Sequence, residues 1–309
     1  MLVHDITGIQ IALLSFKIIN PMKKISAFFL AGMFVFLVSC KEEADKITAQ
    51  QSTAVTDQSV TEAYFNDASD LSTAAYNSPD ASSLGGRTSG RTIEILISGD
   101  TRFNGATVIL VTSGTLTAPA GTITIDFGTG KTDPAGTTRK GKILIAYVGF
   151  RFIPTSYTIM TFENYEVNEV KITGIRKITT TTRTNASILF TVEDTDGKAI
   201  FSDGTFVTRA SNHTRKWILP TATDKGEVEV EGTVSGTTRD SKSYNLLVTR
   251  KLIFKVECSL NKIYAPTEGE ATLTVDSLPI QINYGAAGAA CDNTATMTIA
   301  GTTQEITVN

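Results

Sequence analysis

Apolar and polar residues alternate with a period of two along most of the chain after residue 91. Ile123, Ile125 and Phe127, for example, alternate with polar neighbours, and the same pattern continues to Ile306 and Val308. This period is typical of β-strands with one buried face. Turns rich in Gly and Asp separate the runs, and no helical stripe that could form a crossover lies between them. The sequence therefore predicts a mainly β fold, an antiparallel meander or sandwich of long hairpins.

One short N-terminal helix is predicted ahead of the strands. Apolar residues recur at helical spacing, and Ser59 with Glu62 three residues later forms a capping box. The stripe consists of Val60, Tyr64, Ala68, Leu71 and Ala75. We therefore expect a helix over about 59–76, followed by a linker that extends to residue 90 and contains Pro and Gly.

The domain organisation follows from these patterns. Residues 40–58 are polar and predict a flexible tether. Residues 91–309 predict one β domain. A small sub-domain from about residue 257 is the alternative, because the last fifty residues carry fewer charges and include a Gly- and Ala-rich segment at 285–290.

The first 39 residues predict a secretory signal peptide. Lys23 and Lys24 precede an apolar run from Ile25 to Val38, which is too short for a transmembrane helix of about 20 residues. Residues 1–21 precede a second methionine, Met22, that starts this pattern better. We therefore interpret 1–21 as an over-extended reading frame, and the alternative is that Ile9 to Ile19 forms a second apolar stretch, which is short and interrupted by Ser15 and Lys17.

Charge and histidine content narrow the classes of function. The chain has 28 basic and 31 acidic residues, and removing three lysines and one aspartate ahead of Cys40 leaves 25 and 30. Such a mildly acidic chain has no electrostatic reason to bind nucleic acid. His213 is the only histidine after residue 40, so a multi-histidine zinc site is excluded. No metal and no cofactor is predicted.

The segment that ends the apolar run resembles a bacterial lipobox. It reads Leu-Val-Ser-Cys and ends at Cys40. The resemblance implies cleavage before Cys40 and acylation of that residue, with palmitate among the acyl chains, and several chains together give stable membrane anchoring. Lys41, Glu42 and Glu43 resemble the lipoprotein export signal of Bacteroidetes, which implies the outer face of the outer membrane. The alternative is a solvated, charged tether.

The rest of the chain is similar to the β-rich lipoproteins of Bacteroidetes. The stretches that carry this resemblance are 123–130, 140–143, 162–167 and 291–299. It implies a β fold and a surface-exposed, lipid-anchored location in the outer membrane, and it supplies no catalytic residue.

Cys258 and Cys291 are the remaining cysteines. In an oxidising compartment they favour a disulfide, and two buried thiols are the alternative. A reactive thiolate would need an activating neighbour that the sequence does not reveal.

Acidic residues form three groups that could carry chemistry. The turn from Asp126 to Gly136 could offer oxygen ligands to calcium, although it lacks EF-hand spacing, and a hairpin loop with Asx turns is the simpler interpretation. A glycosidase would need two carboxylates at a set separation. Strand faces and turns explain the other two groups equally well: Glu163, Glu166 and Glu169; Asp194, Asp196 and Asp203.

Residues 211–217 form the most unusual stretch. It contains His213, Arg215 and Trp217, the single tryptophan of the chain. These three residues are the candidate ligand-binding residues, because an aromatic face stacks on sugar rings. The alternatives are a strand whose Trp217 enters the core and a Ser/His/Asp triad through His213, which no Gly-x-Ser-x-Gly motif supports.

The sequence favours a non-enzymatic binding or structural protein of the envelope, with glycan or an envelope protein as partner and the membrane contacted through the lipid anchor. The alternative is a hydrolase of polysaccharide that uses an Asp/Glu pair.

Overall fold

The computed structural model describes residues 49–78, 81, 89–260, 263 and 265–308. The signal peptide, Cys40, Lys41, Glu42 and Glu43 lie outside these residues, so the lipidation and export predictions stay predictions.

In the described part of the chain, one antiparallel sheet contains fifteen strands, and each strand pairs with its neighbours in chain order. Only β4 leaves this path, because it pairs with β5 alone. The mainly β, antiparallel prediction is confirmed, in its meander form. The strands are β1 Thr92–Glu94, β2 Thr107–Thr112, β3 Ala120–Asp126, β4 Lys131–Thr132, β5 Thr138–Val148, β6 Tyr157–Val167, β7 Val170–Arg183, β8 Ser187–Ile200, β9 Phe206–Ile218, β10 Glu227–Thr237, β11 Ser243–Lys255, β12 Glu268–Val275, β13 Leu278–Gly285, β14 Thr294–Ile299 and β15 Thr302–Thr307.

The predicted alternation explains which side chains enter the core. In β3, Ile123 and Ile125 are fully buried while Thr122 is exposed. Across the pair with β5, Ile123 lies opposite Ile145 and Ile125 opposite Ile143, so the buried faces of the two strands coincide. A shift of one residue would turn all of these side chains towards solvent, and the pattern therefore fixes the register.

A single long helix, α1 (Ala49–Asn77), packs on the sheet. It begins ten residues before the predicted start, so residues 49–58 are helical instead of forming a flexible tether. The reason is burial: Ala54 and Val55 are covered by the sheet, and Asp57 lies 3.6 Å from Arg239. No helix in the described part of the chain is long and apolar enough to cross a membrane.

The helix joins two hydrophobic clusters. Its N-terminal part contributes Ala54 and Val55 to a cluster with the later strands, including Leu273 and Met297. Its C-terminal part packs against the earlier strands and includes the predicted residues Ala68, Leu71 and Ala75 together with Phe65, which the predicted stripe missed. Polar side chains of the same helix, from Glu62 to Ser69, meet the middle strands.

The last strands extend the same sheet, because β11 pairs with β12 and each later strand pairs in turn. The structure thus places residues beyond 257 in the β domain and gives no separate sub-domain. A short helix, α2 (Val256–Leu260), follows β11. Its Cys258 forms a disulfide with Cys291, which lies between β13 and β14. The predicted bridge is present, and both sulfurs are therefore unavailable as nucleophiles.

Candidate functional site

A buried ionic cluster lies where the middle of α1 crosses β7, β8 and β9. At its centre, Asp194 accepts two hydrogen bonds from Arg176, at 2.6 Å from Nε and 2.8 Å from Nη2. Arg209 Nε donates to the same carboxylate at 3.0 Å. Arg176 is fully buried and Asp194 nearly so. Such charges are tolerated in an interior only when they are paired and hydrogen-bonded.

Side chains of α1 complete this cluster on the face of the sheet that the helix covers. Glu62 Oε2 lies 2.5 Å from Arg209 Nη2, and Asn66 Oδ1 accepts from both Arg176 and Arg215. The ring of Phe65 contacts two guanidinium groups, since the Cζ atoms of Arg176 and Arg209 are each 5.1 Å from its centroid. Cation–π contacts of this kind strengthen when solvent is excluded. The helix is therefore fixed to the sheet by charge as well as by apolar packing.

A glycine at position 197 makes the close packing in this cluster achievable. A Cβ added to Gly197 would lie 2.6 Å from Arg209 Cγ and 3.2 Å from Phe65 Cζ. The strand pairing shifts here, between Asp194 and Gly197, as in a β-bulge. The irregularity brings Asp194 and Arg209 to the helix together.

Protonation states in the cluster follow from these contacts. Burial alone would raise the pKa of Asp194 and of Glu62, but the surrounding arginines hold both pKa values below the usual range. Burial, reinforced by Arg215, lowers the pKa of His213 to about 3. At neutral pH the two carboxylates are ionised and the imidazole is neutral.

A Ser/His/Asp triad through His213, one of the alternatives left open by the sequence, is not formed among the described residues. Ser211 Oγ lies 2.6 Å from Asp194 and 3.3 Å from His213 Nδ1, so the serine separates the other two groups. A triad requires the aspartate to orient the histidine and the histidine to accept the serine proton. Here Ser211 Oγ donates its hydrogen bond to the Asp194 carboxylate, and the neutral histidine has a pKa too low for a general base near neutral pH.

Beside the cluster, a cleft of about 320 Å³ opens between the C-terminal half of α1 and strands β5 to β10. Its aromatic wall includes Trp217, Phe152 and Phe190. The ring of Phe152 is 5.8 Å from that of Trp217 and 6.0 Å from that of Phe190. Helix residues Asp70 and Tyr76 line the opposite side.

The loop between β5 and β6, residues 149–156, supplies much of this wall. Phe152 has a φ of 63°, a left-handed conformation that is rare for an aromatic residue, and Thr155 has a φ of 77°. The loop is narrow at its base, where a Cβ on Gly149 would lie 2.9 Å from Ser156 Cβ. Backbone strain of this kind costs on the order of 1–3 kcal/mol and is typical of functional sites. The strained conformation turns Phe152 towards Trp217.

Arg151 lies at the edge of the cleft, in the same loop. Its Cζ is 4.1 Å from the centroid of Phe152 and 5.8 Å from that of Tyr76, and Nη1 donates to the Thr73 carbonyl at 3.1 Å. Among the described residues, no carboxylate lies within ion-pair distance of it. Burial lowers the pKa of Arg151 to about 10, so the group still carries its charge at neutral pH.

The three candidate residues of β9 lie on one face of the strand but have different surroundings. His213 is buried in the ionic cluster, Arg215 lies between the cluster and the cleft, and Trp217 is partly buried in the cleft wall. Three further residues of the cleft, Arg151, Phe152 and Asp70, are not indicated by the sequence patterns. The sequence does carry one signal for this loop, since Phe150, Phe152 and Ile153 surround Arg151 between two strands and apolar residues are unusual in a loop. In the structure, Phe150 and Ile153 are exposed.

The other acidic groups have structural roles. Asp133 accepts from the amides of Ala135 and Thr137 and pairs with Arg139, which agrees with the Asx-turn interpretation of that hairpin. Glu163 and Glu166 pair with lysines of β5 on a solvated strand face. Asp203 lies at an exposed turn beside Arg239. Within the described residues, no group of three or more His, Cys, Asp or Glu side chains could hold a metal ion.

Comparisons with protein-family models, with curated proteins and with solved structures found no match.

Proposed function

We propose that this protein is a non-enzymatic binding lipoprotein of the bacterial outer membrane, displayed on the cell surface, and that its ligand enters the cleft beside Trp217. The observation that supports ligand binding is the aromatic wall of the cleft. The strained loop at Phe152 holds this wall in place, and Arg151 lies at its edge. Concave, mostly apolar sites with a few fixed polar groups are typical ligand sites.

The lipobox at Cys40 and the following Lys41, Glu42 and Glu43 support the location. A stable anchor requires more than one acyl chain, which lipoprotein processing supplies. The anchor is tested by growing cells with a clickable palmitate analogue and fractionating their membranes. Wild type should be labelled and membrane-bound, whereas Cys40→Ala should be unlabelled and soluble. Membrane retention of the variant would contradict the anchor.

Binding is tested separately, with the unacylated mature chain that carries Cys40→Ala. It is screened on a glycan array and against envelope fractions, and hits are checked for Trp217 fluorescence changes and for hydrolysis products. Binding without cleavage supports the proposal. Binding that leaves Trp217 unaffected would place the ligand elsewhere.

A polysaccharide-acting hydrolase is the second candidate function. It is favoured by the position of the Asp70 carboxyl group in the cleft. This residue lines the cleft and is exposed to it, and partial desolvation by the surrounding protein raises the pKa of its carboxyl group, as suits a general acid. A glycosidase uses two carboxylates, however, and Asp70 is the single carboxylate that the described lining contains. Reducing-end release that Asp70→Asn abolishes would favour the hydrolase.

A further inference from the structure

Aromatic and aliphatic side chains form much of the cleft lining, and four of its hydroxyl groups are hydrogen-bonded within the protein. Ser69 Oγ donates to the Phe65 carbonyl at 2.9 Å, and Ser72 Oγ donates to the Ala68 carbonyl at 2.7 Å. Ser156 Oγ and Thr180 Oγ1 lie 3.1 Å apart. A ligand rich in hydroxyls would find these partners already occupied. A ligand with an apolar body would instead replace water at aromatic faces, which is favourable.

The charged groups around the cleft leave a positive surplus. Arg176, Arg209 and Arg215 face Glu62 and Asp194 in the adjoining ionic cluster. At the cleft itself, Asp70 is a carboxylate and Arg151 a guanidinium. Within the described cleft lining, two arginines, Arg151 and Arg215, therefore face one carboxylate, Asp70. Low-dielectric walls focus such a field into the cleft.

Arg151 is the cation that a ligand could reach. Its Nη1 is bound to the Thr73 carbonyl. Arg215 also lines the cleft, but its Nη2 contacts Glu62 and Asn66 and its Nε is buried without a partner, so it is less accessible to a ligand. Stacking on Phe152 holds the guanidinium plane in place. A preorganised guanidinium with free N–H groups fits a planar or tetrahedral oxyanion well.

We propose that the cleft binds an amphipathic anion, in which an acidic head group pairs with Arg151 and a ring-sized apolar body packs against Phe152 and Trp217. This inference rests on the proposed binding function and names its ligand class. The cleft volume of about 320 Å³ matches a body of one or two fused rings or a short acyl chain.

The test compares two fluorescent probes that differ in one charged group: anilinonaphthalene sulfonate and its uncharged parent, phenylnaphthylamine. The protein is the unacylated mature chain with Cys40→Ala. Because Trp217 is the single tryptophan, energy transfer from it to either probe reports occupancy of the cleft. We expect one sulfonate per chain, bound roughly ten-fold or more tightly than the neutral probe.

Two variants with opposite expected effects locate the charge. Arg151→Met keeps the bulk of the side chain and removes its charge, so sulfonate affinity should fall roughly ten-fold while the neutral probe is unaffected. Asp70→Asn removes the competing carboxylate and should tighten sulfonate binding roughly two- to five-fold. Arg250→Met is the matched control, because Arg250 is exposed and pairs with Glu270 away from the cleft. Circular dichroism verifies that each variant is folded.

The outcomes separate this inference from the proposed function. Preference for the sulfonate that Arg151→Met abolishes supports the amphipathic anion. Equal binding of both probes, or equal losses for Arg151→Met and Arg250→Met, overturns the anionic ligand and leaves cleft binding intact. Absence of energy transfer from Trp217 to either probe overturns the ligand class, while the glycan and envelope screens decide the binding function independently.

Discussion

Arg176 Nε lies 2.6 Å from Asp194 Oδ1, and neither side chain is exposed to solvent. The two residues belong to directly paired positions of β7 and β8. This pair places a charged centre on the sheet beneath α1. From the helix, Glu62, Asn66 and Ser69 contact Arg176 of the pair. The position of the helix on the sheet thus depends on directional polar contacts, and the cleft beside them depends on the position of the helix.

Removing the central carboxylate should destabilise the whole protein. Asp194→Ala would leave Arg176 and Arg209 buried without their shared partner, and breaking a buried pair in this way costs about 3–5 kcal/mol. Urea denaturation followed by circular dichroism measures the loss in free energy of unfolding.

Glu193→Ala is the matched control for that experiment. Glu193 is the neighbouring residue on the opposite face of β8, and its ion pair with Lys177 is roughly half exposed. Exposed pairs contribute about 0–1 kcal/mol. Equal losses for the two variants would show that the buried cluster contributes no more than a surface pair.

His213 should make stability depend on pH below neutrality. The unfolded chain takes up a proton near pH 6.5, whereas the folded protein holds the pKa of His213 at about 3. Between these values the unfolded form binds more protons, so falling pH favours unfolding. Between pH 8 and pH 5.5 the free energy of unfolding should decrease by about 1.4 kcal/mol.

Since His213 is the only histidine after residue 40, one variant isolates this effect. His213→Gln keeps a polar side chain that does not titrate, and its unfolding free energy should be nearly constant over the same pH interval. A wild-type protein whose stability does not change between these pH values would contradict the neutral, buried state of His213.

The regular part of the fold could be predicted from the sequence because strand burial repeats every two residues. Ile123 and Ile125 alternate with exposed threonine, so period and face are both visible. The N-terminal part of α1 could not be predicted from the sequence, because its apolar residues Ala54 and Val55 lie among Thr, Gln and Asp and form no helical stripe. The sheet that buries them is made mostly of strands more than 150 residues further along the chain.

The site was only partly predictable for a related reason. Composition alone singled out His213, Arg215 and Trp217. Arg151 and Phe152 come from a loop more than 50 residues earlier, and their approach to Trp217 depends on the register of every strand between β5 and β9. The positive φ of Phe152 has no sequence signal, because the residue types that favour this conformation are Gly, Asn and Asp.

Val55 tests the early start of the helix. Val55→Ala removes two methyl groups from a side chain that is 1% exposed, and the transfer and cavity terms together should cost about 1–2.5 kcal/mol. Ser59→Ala, on the partly exposed part of the same helix, is the control and should change the unfolding free energy little. If residues 49–58 were a flexible tether, Val55→Ala would have no effect on denaturation.

The disulfide should stabilise the C-terminal strands by restricting the unfolded chain. Cys258 and Cys291 are 33 residues apart, and closing a loop of this length is worth about 3–4 kcal/mol in the chain-entropy model. Thiol titration of the unfolded, unreduced mature chain with Cys40→Ala should find no free thiol. The double variant Cys258→Ser, Cys291→Ser should unfold at lower urea concentration, and reducing agent should shift only the protein that keeps both cysteines. Two titratable thiols, or an equal response of both proteins to reduction, would contradict the bridge.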